Sequence, residues 1–484
     1  SNFSSWVSMS PERQQTLASL YRNPRQVDLL AAGLLEEPQP GSILGPTLTC
    51  LLAHQFNTLR NSDRFWYEND IPPASFTKDQ LSEIRKVSLA GLLCSNVPHL
   101  LSIQPRPFLQ EDSYLNAQIG CDHFSWLSAE TWREDIGELD SAQQTVSMEM
   151  LKQAIRRAED DVQRRFQTEY MLWSHKGGAD PKSPIGTAAA FSKPNKKAYL
   201  LANNSLLLEY ASREIINSIN LKSRRRRQLD AGDNIIGFGP DLPLKDFLSD
   251  LDITSFLPSL TRPDLLDDEV CHEENGPCDP RSPYRSFSGH CNNLERVNLG
   301  RSVTTFARLL PAAYENGISS PRVTSVTGVP LPSARLISSS VHPDISHLHN
   351  RYTLMVMQFA QFVDHDLTFT PNQRGFFASI PDCRSCDAAL TVHPECMPIP
   401  VPNNDLFYPQ INITTGARMC LSFMRSMPGQ QRLGSREQIN QNTAYVDGSQ
   451  IYGQDSCMAR SLRSYGGRLN ATIRHNGDKD LLPL

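Results

Sequence analysis

A histidine between two aspartates is the feature of this sequence that most strongly suggests chemistry. Asp364, His365 and Asp366 lie within MQFAQFVDHDLTFTP, residues 357–371, where most of the other side chains are apolar. Burial of a carboxylate costs free energy unless a hydrogen bond, an opposite charge or a metal ion satisfies it. The sequence therefore predicts that two buried carboxylates beside a titratable ring serve a metal ion, a bond to a cofactor, or both.

The spacing of apolar residues predicts a helix over residues 350–367, and this helix carries a polar stripe. Gln358, Gln361 and His365 stand at positions i, i+3 and i+7, which lie on one face of a helix. Such a stripe faces either a buried polar partner, as for a satisfied core histidine, or a ligand cavity. A neutral imidazole near its unperturbed pKa can both take and return a proton at pH 7.

The two aspartates project to opposite sides of the histidine. On a helix Asp364 and Asp366 are each displaced by about 100° from His365. The three residues could therefore serve three different partners, one ligand under the ring and one group on each flank.

A second group of oxygen-bearing residues lies in NTAYVDGSQIYG. Thr443, Tyr445, Asp447 and Ser449 alternate, and in an extended loop this alternation places their oxygens on one side. Hydroxyl, carboxylate and carbonyl oxygens are the ligands that Ca²⁺ prefers, and Asp366 is a candidate for a further carboxylate. The alternative interpretation is an edge strand that ends in a Gly-Ser turn.

The remaining elements are predominantly helical. Residues 1–137 show helical apolar spacing, residues 146–173 form an amphipathic pattern, and KKAYLLANNSLLLEYASREIINSI is a further helical stretch. The basic run Arg224–Arg227 follows. It is either a solvated charge cluster, a nucleic-acid patch, or the processing site of a basic-specific secretory protease, which we favour. The stretch that follows, up to about residue 265, is acidic and rich in proline.

Composition and motifs exclude several classes of protein. The chain has 484 residues and a net charge of −5, which gives no indication of nucleic-acid or anionic-membrane binding. No apolar stretch reaches the roughly 18 residues that a membrane span needs. A phosphate-binding loop, a nucleophile elbow and a zinc-protease helix are absent from the sequence. The first residues do not form a signal peptide, so the protein is cytosolic or the chain begins after its true N-terminus.

The cysteines favour an oxidising compartment. Of the eleven cysteines, Cys271, Cys278 and Cys291 form one group and Cys383, Cys386 and Cys396 another, followed by Cys420. The spacings CRSC and CHEENGPC fit zinc or disulfides, and we favour disulfides because the second half of a zinc-ribbon pattern is missing. Four N-x-S/T sequons, at Asn2, Asn203, Asn412 and Asn470, add support for a secreted glycoprotein.

The stretch QFVDHDLTFTP resembles the distal-histidine motif of the animal haem peroxidase family, the group of myeloperoxidase and peroxidasin. The stretches YRSFSGHCNN, LGRSVTTFARLLPAAYENG and REQINQNTAYVDGSQIYG resemble other motifs of that family, in its order and spacing. The resemblance runs from about Cys271 to Leu484. It implies a mainly α-helical fold, a haem b cofactor and bound Ca²⁺.

The resemblance also implies a role for each candidate residue. His365 would be the distal acid/base that accepts a proton from H₂O₂ and returns it to the departing oxygen, and Gln361 would line the distal cavity. Asp364 would form an ester bond to a haem methyl group. The implied Ca²⁺ ligands are Asp366, Thr443, Tyr445 through its carbonyl, Asp447 and Ser449. Tyr445 stands where phenylalanine is common in the family.

The implied reductants are a halide, thiocyanate or a phenol such as tyrosine, with H₂O₂ as the oxidant, and contact with extracellular matrix is a further expectation. The implied disulfides are Cys278–Cys291, Cys383–Cys396 and Cys386–Cys420. The Ca²⁺ would pin the residue next to His365 and thereby fix the ring.

The first part of the chain resembles the C-terminal end of the same family. LYRNPRQVDLLAAGLLEEP, LGPTLTCLLAHQFNTLRNSDRFWYEND and SLAGLLCSN carry this resemblance, and Cys50–Cys94 resembles the disulfide of that end. The middle resembles the family's pro-segment. We therefore expect the tail of one peroxidase domain at residues 1–137, a pro-segment-like helical linker at 138–265 and the head of a second domain at 266–484. The chain resembles a piece of a tandem, double peroxidase with both copies incomplete.

No residue of this chain matches the family's distal arginine or its iron-binding proximal histidine by motif. We therefore expect the chain alone to be inactive, and the complete protein to be a peroxidase. The alternative is a secreted, non-catalytic Ca²⁺-binding or matrix-interaction module on a degenerate peroxidase fold. Release of the second domain by cleavage at Arg224–Arg227 is compatible with either expectation.

Overall fold

The computed structural model describes most of the chain outside the linker. The described residues are 9–132, 162–167, 194–195, 198–199, 201–210, 277–325, 328–346, 348–375, 379–386, 393–430, 433–463, 469, 474–476 and 479–481. The fold is mainly α-helical, as the sequence predicts. The helices with defined bounds are α1 (Pro11–Leu20), α2 (Leu29–Leu35), α3 (Pro46–Ser62), α4 (Lys78–Ile84), α5 (Leu89–Asn96), α6 (Ala334–Val341), α7 (Met355–Leu367), α8 (Ser449–Tyr452) and α9 (Ser456–Ser461).

Strands are short within the described residues, and each pairs with one other strand. Four antiparallel two-stranded sheets form, and each ties a loop to a neighbour rather than building a layer. The pairs are β1 (Ser102–Ile103) with β2 (Ile119–Gly120), β3 (Thr304–Thr305) with β6 (Ile439–Asn440), β4 (Ile399–Pro400) with β5 (Cys420–Leu421), and β7 (Arg474–Asn476) with β8 (Lys479–Leu481).

Capping side chains stabilise the first turns of α1 and α4. Ser10 accepts a hydrogen bond from the backbone N–H of Arg13 and precedes Pro11, so it caps α1. Thr77 and Gln80 form a reciprocal capping box at the start of α4. These caps satisfy backbone N–H groups that have no partner inside the helix.

An apolar cluster joins the beginning of the chain to α6. Its buried members are Met9, Leu17, Tyr21, Val27, Ala31, Ala32, Leu35 and Val341. Seven of these residues come from the first 35 positions, and Val341 lies more than 300 residues later in the sequence. The early helices therefore share one core with the later part of the chain.

Polar contacts also join the early and late parts of the chain. The buried carboxylate of Asp63, just after α3, accepts hydrogen bonds from Arg285 Nη2 at 2.8 Å and from Asn292 Nδ2 at 3.0 Å. The hydroxyl of Thr353 donates to the carbonyl of Pro107. The part expected to be the tail of one domain thus packs directly on the part expected to be the head of another.

Three of the four expected disulfides are confirmed and one is wrong. Cys278–Cys291, Cys383–Cys396 and Cys386–Cys420 are bonded. The expected Cys50–Cys94 bond does not form, because Cys94, at the end of α5, meets Cys121, with the Cα atoms 5.5 Å apart. The β1–β2 pair brings Cys121 to α5, and Cys50 is left as an exposed free thiol near the start of α3.

Part of the linker is helical and packs on the later part of the chain. Residues 162–167 and 201–210 are helical, and they contact residues between 395 and 439. Most of the predicted helix over 146–173 lies outside the described residues, as do Arg224–Arg227, the acidic stretch to 265, Asn2, Asn470 and Cys271. Asn203, one of the four sequon asparagines, is 2% exposed. Among the described helices none is long and apolar enough to cross a membrane.

Candidate functional site

Helix α7 carries the histidine and its two aspartates. It spans Met355–Leu367, five residues shorter at its start than the predicted helix. The five preceding residues are not helical because they contact the early part of the chain instead: Tyr352 forms a bridge with Leu109, and Thr353 N–H donates to Phe108 O. Gln358, Gln361 and His365 all lie within α7, so the predicted polar stripe is confirmed.

The expectation that all three residues of Asp364–Asp366 are buried is wrong for two of them. Asp364 and His365 are exposed, and only Asp366, at 3% exposure, is buried. The apolar residues around them do not form a closed core, since Phe359 and Phe362 are each 44% exposed. Helix α7 therefore presents an open face on which an imidazole, an amide, a carboxylate and aromatic rings lie together.

On this exposed face, hydrogen bonds from Thr368 hold Asp364 in place. Asp364 Oδ1 accepts a hydrogen bond from Thr368 Oγ1 at 2.7 Å, and Asp364 O accepts one from Thr368 N at 2.7 Å. Phe359 packs against Phe108, with ring centroids 5.3 Å apart. Within the described part of the chain the side chains of Gln361 and His365 make no hydrogen bond, so both are available to a ligand. These exposed aromatic, amide and imidazole side chains are of the kinds that can contact a flat, mainly apolar group such as haem.

On the other side of α7, Asp366 enters a buried cluster of oxygens. Thr443 Oγ1 lies 2.7 Å from Asp447 Oδ2 and 3.3 Å from Ser449 Oγ. Asp366 Oδ2 accepts from the backbone N–H of Gly448 at 3.2 Å. The segment reaches this geometry by a turn rather than as the expected extended loop, because Gly448 adopts a left-handed φ of 71° and begins α8.

The cluster fits a divalent cation. Burial raises the pKa of Asp366, with backbone hydrogen bonds acting against it, and burial also raises the pKa of Asp447, where the negative charge of Asp366 adds to the effect. Asp366 Oδ1 is buried without a hydrogen-bond donor among the described residues. One buried carboxylate with an unsatisfied oxygen, one half-buried carboxylate and two buried hydroxyls are the hard oxygen donors that Ca²⁺ prefers.

Tyr445 turns its side chain away from this cluster. Its ring packs on Gly300, where an added Cβ would come within 2.5 Å of the ring, and its hydroxyl donates to Leu299 O at 2.7 Å. Burial raises the pKa of Tyr445 to about 12. The carbonyl of Tyr445 accepts from Asp447 N at 3.0 Å. The hydroxyl of Tyr445 is therefore used away from the oxygen cluster, and the use of its carbonyl as a ligand stays a prediction.

Three amide side chains that the sequence analysis did not single out clamp α7 to the segment 440–450. Asn442 Nδ2 donates to His365 O at 2.5 Å, Asn440 Nδ2 to Leu367 O at 2.8 Å, and Gln450 Nε2 to Phe362 O at 2.8 Å. The last four carbonyls of a helix have no partner inside it, and the two asparagines satisfy two of them, whereas Gln450 binds a carbonyl one turn earlier. In the sequence, the only feature that could have indicated this clamp was the run NQN directly before Thr443, which contains the two asparagines.

Comparison with known proteins identifies the class of protein. The family model for animal haem peroxidases matches residues 1–108 and 284–484. These residues make up more than half of the chain, and the chain therefore belongs to the animal haem peroxidase family. The two matched stretches correspond to the early and the late part of the chain, which pack on each other.

Individual relatives cover the chain only in part. It is 38% identical to heme peroxidase 2 of Caenorhabditis elegans over 191 residues, which is 37% of this chain and 24% of the relative. It is 38% identical to chorion peroxidase of Drosophila melanogaster over 215 residues, covering 42% and 26%. It is 33% identical to Drosophila peroxidasin over 337 residues, covering 65% and 20%. The matches thus span about a quarter of the relatives' length.

Proposed function

We propose that this chain is part of a secreted haem peroxidase that uses H₂O₂ to oxidise a halide, thiocyanate or a phenol. One observation carries the proposal. Helix α7 presents His365 and Gln361 on an exposed face, while the adjacent Asp366 enters a buried oxygen cluster. With this division, a proton-transfer group and a cation site would lie on two different faces of one helix.

A bound haem would supply the iron at which peroxide is reduced. His365 would accept the proton of H₂O₂ and return it to the departing oxygen, which is general acid–base catalysis by an imidazole. Gln361, one turn away on the same stripe, would orient the peroxide by its amide. Asp364, whose carboxylate is already fixed by Thr368, would be the attachment point for the ester bond to haem.

Ca²⁺ would act on the orientation of the histidine. Asp366, Thr443, Asp447 and Ser449 would bind it through side-chain oxygens and Tyr445 through its carbonyl. Because Asp366 directly follows His365, a cation held by Asp366 would restrict the end of α7. Asn442 already restricts the same end through the carbonyl of His365.

The domain organisation is part of the proposal. Residues 1–137 would be the tail of one peroxidase domain, 138–265 a pro-segment-like linker, and 266–484 the head of a second domain. In this arrangement the chain supplies one wall of a haem site, and the distal arginine and the iron-binding histidine come from elsewhere in the parent protein. The chain alone would therefore bind haem weakly and turn over slowly.

A haem titration tests the proposal. The chain is supplied with haem and Ca²⁺, and the Soret band and peroxide-dependent oxidation of a phenol are recorded. A weak Soret band without turnover, together with turnover by the parent protein, is the expected result. A stable Soret band with turnover that is lost in His365→Ala, but kept in a matched His342→Ala control, would show that this chain contains an iron ligand and would refute its proposed inactivity.

A further inference from the structure

We infer that the two sides of the basic run Arg224–Arg227 form one non-covalent unit, so that a cut at this run leaves a stable two-chain particle instead of a released second domain. The residues before the run, described up to 210, are called the leading segment. Those after it, described from 277 to 481 with gaps, are called the trailing segment. The inference concerns an interaction surface and does not depend on haem chemistry.

The first contact surface is centred on Asp63 of the leading segment. Its carboxylate is 2% exposed and binds Arg285 of the trailing segment at 2.8 Å and Asn292 at 3.0 Å. Arg64 extends this surface, because its guanidinium donates to Pro280 O and Ser282 O. A buried carboxylate without these donors would remain an uncompensated charge, which makes separation of the segments costly.

A second surface consists of a row of four alternating charges. Arg165 and Glu209 come from the leading segment, and Glu395 and Arg436 come from the trailing segment. Arg165 lies 2.9 Å from Glu395, Glu395 lies 2.7 Å from Arg436, and Arg436 lies 3.6 Å from Glu209. All four side chains are at most 5% exposed, so the row is desolvated and crosses the joint twice.

Apolar and backbone contacts surround the charged row. The leading-segment residues Ala198, Tyr199 and Ala202 pack in one buried cluster with Met427 and Ile439 of the trailing segment. Beside this cluster a leading-segment hydroxyl, that of Ser205, donates to the carbonyl of residue 430 at 3.0 Å. A buried apolar patch with polar contacts at its rim is the organisation of a stable protein interface.

No disulfide reinforces this joint. Three cysteines precede the basic run, and all three lie in the described part of the chain. Cys94 is bonded to Cys121, and Cys50 is free. The association of the segments therefore rests on the contacts alone, and denaturation without reduction must separate them.

The experiment cuts the full chain between the segments. Arg224–Arg227 is replaced by the recognition sequence of a site-specific protease, and the cut protein is analysed at pH 7 in about 0.15 M salt. We expect one peak in size-exclusion chromatography and two bands in non-reducing denaturing electrophoresis. Two separate peaks under the native conditions would overturn the inference.

A pair of variants tests whether the named contacts hold the unit together. Asp63→Asn removes a buried charge that crosses the joint, and Asp405→Asn removes a matched charge whose partner, Arg335, lies in the same segment. The dissociation constant of the cut particle is measured from the anisotropy of a fluorophore on the Cys50 thiol. We expect Asp63→Asn to raise this constant at least about thirtyfold and Asp405→Asn to leave it unchanged.

Equal effects of the two variants would overturn the assignment of the joint to Asp63. Circular dichroism of each uncut variant establishes that it is folded. If Asp63→Asn does not fold, Arg285→Lys replaces it, because lysine keeps the charge but loses the forked geometry that reaches Asp63. A dissociation constant raised by Arg285→Lys supports the inference, and an unchanged one contradicts it.

Discussion

Glu395 is the residue whose neutralisation should cost the fold most. Its carboxylate lies between the guanidinium groups of Arg165 and Arg436, at 2.9 and 2.7 Å, and all three side chains are at most 5% exposed. Burial alone would raise the pKa of Glu395, but the two arginines outweigh burial and hold the pKa well below its usual range. Glu395→Gln would remove the negative charge that pairs with both of these buried guanidinium groups.

The expected loss in the free energy of unfolding of Glu395→Gln follows from this burial. Removal of one partner from a buried ion pair costs about 3–5 kcal/mol, because the remaining charge stays desolvated. Urea unfolding at pH 7, followed by tryptophan fluorescence, measures the free energy of unfolding. Glu437→Gln is the matched control: Glu437 pairs with Arg308 at the same 2.9 Å, but both side chains are 28–29% exposed. The control should lose at most about 1 kcal/mol.

The same reasoning also predicts how the free energy of unfolding depends on pH. Since the folded-state pKa of Glu395 is depressed, its contribution to stability is fully present above the unfolded pKa of about 4.3 and is lost as the pH falls below that value. The wild-type chain should therefore lose stability below about pH 4.5 more steeply than Glu395→Gln does. Equal losses for the two glutamine variants at pH 7, or parallel pH profiles, would refute the reasoning.

Three further predictions concern the site and its surroundings. Asp366→Asn should weaken Ca²⁺ binding at least about tenfold in a calorimetric titration, since it removes a ligand charge, whereas the exposed Asp364→Asn should leave Ca²⁺ affinity unchanged. Asn440→Ala should accelerate hydrogen exchange at the backbone N–H of Phe369, which donates to Asn440 Oδ1 at 2.8 Å, and cost about 1 kcal/mol; unchanged exchange would contradict the cap. A maleimide should label the Cys50 peptide before reduction, and a Cys50–Cys94 peptide in the mass map would show the disulfide assignment to be wrong.

Much of the site could be predicted from sequence because helical periodicity is local. The spacing of Gln358, Gln361 and His365 determines their common face whatever surrounds the helix. The alternation of Thr443, Asp447 and Ser449 indicated an oxygen cluster, although the path of the chain is a turn set by a glycine rather than an extended loop. Residue types and short spacings thus identified the oxygen-bearing side chains, but not the backbone conformation that positions them.

What the sequence did not predict depends on long-range packing. The exposure of Asp364 and His365 follows from what covers α7, and no local pattern contains that information. The partner of Cys94 is decided by the β1–β2 pair, which brings Cys121 closer than Cys50. The clamp by Asn440, Asn442 and Gln450 requires the 440–450 loop to lie against the end of α7, more than 70 residues away in sequence.

The dependence of turnover on His365 tests the central proposal most directly. The parent protein, supplied with haem and Ca²⁺, is assayed for H₂O₂-dependent oxidation of a phenol as wild type, as His365→Ala, and as His342→Ala, an exposed histidine at the end of α6. Loss of general acid–base catalysis should lower kcat by about 10²–10⁴-fold in His365→Ala and leave His342→Ala unchanged. A parent protein that retains its kcat in His365→Ala, with haem and Ca²⁺ still bound, would contradict the proposed role of α7.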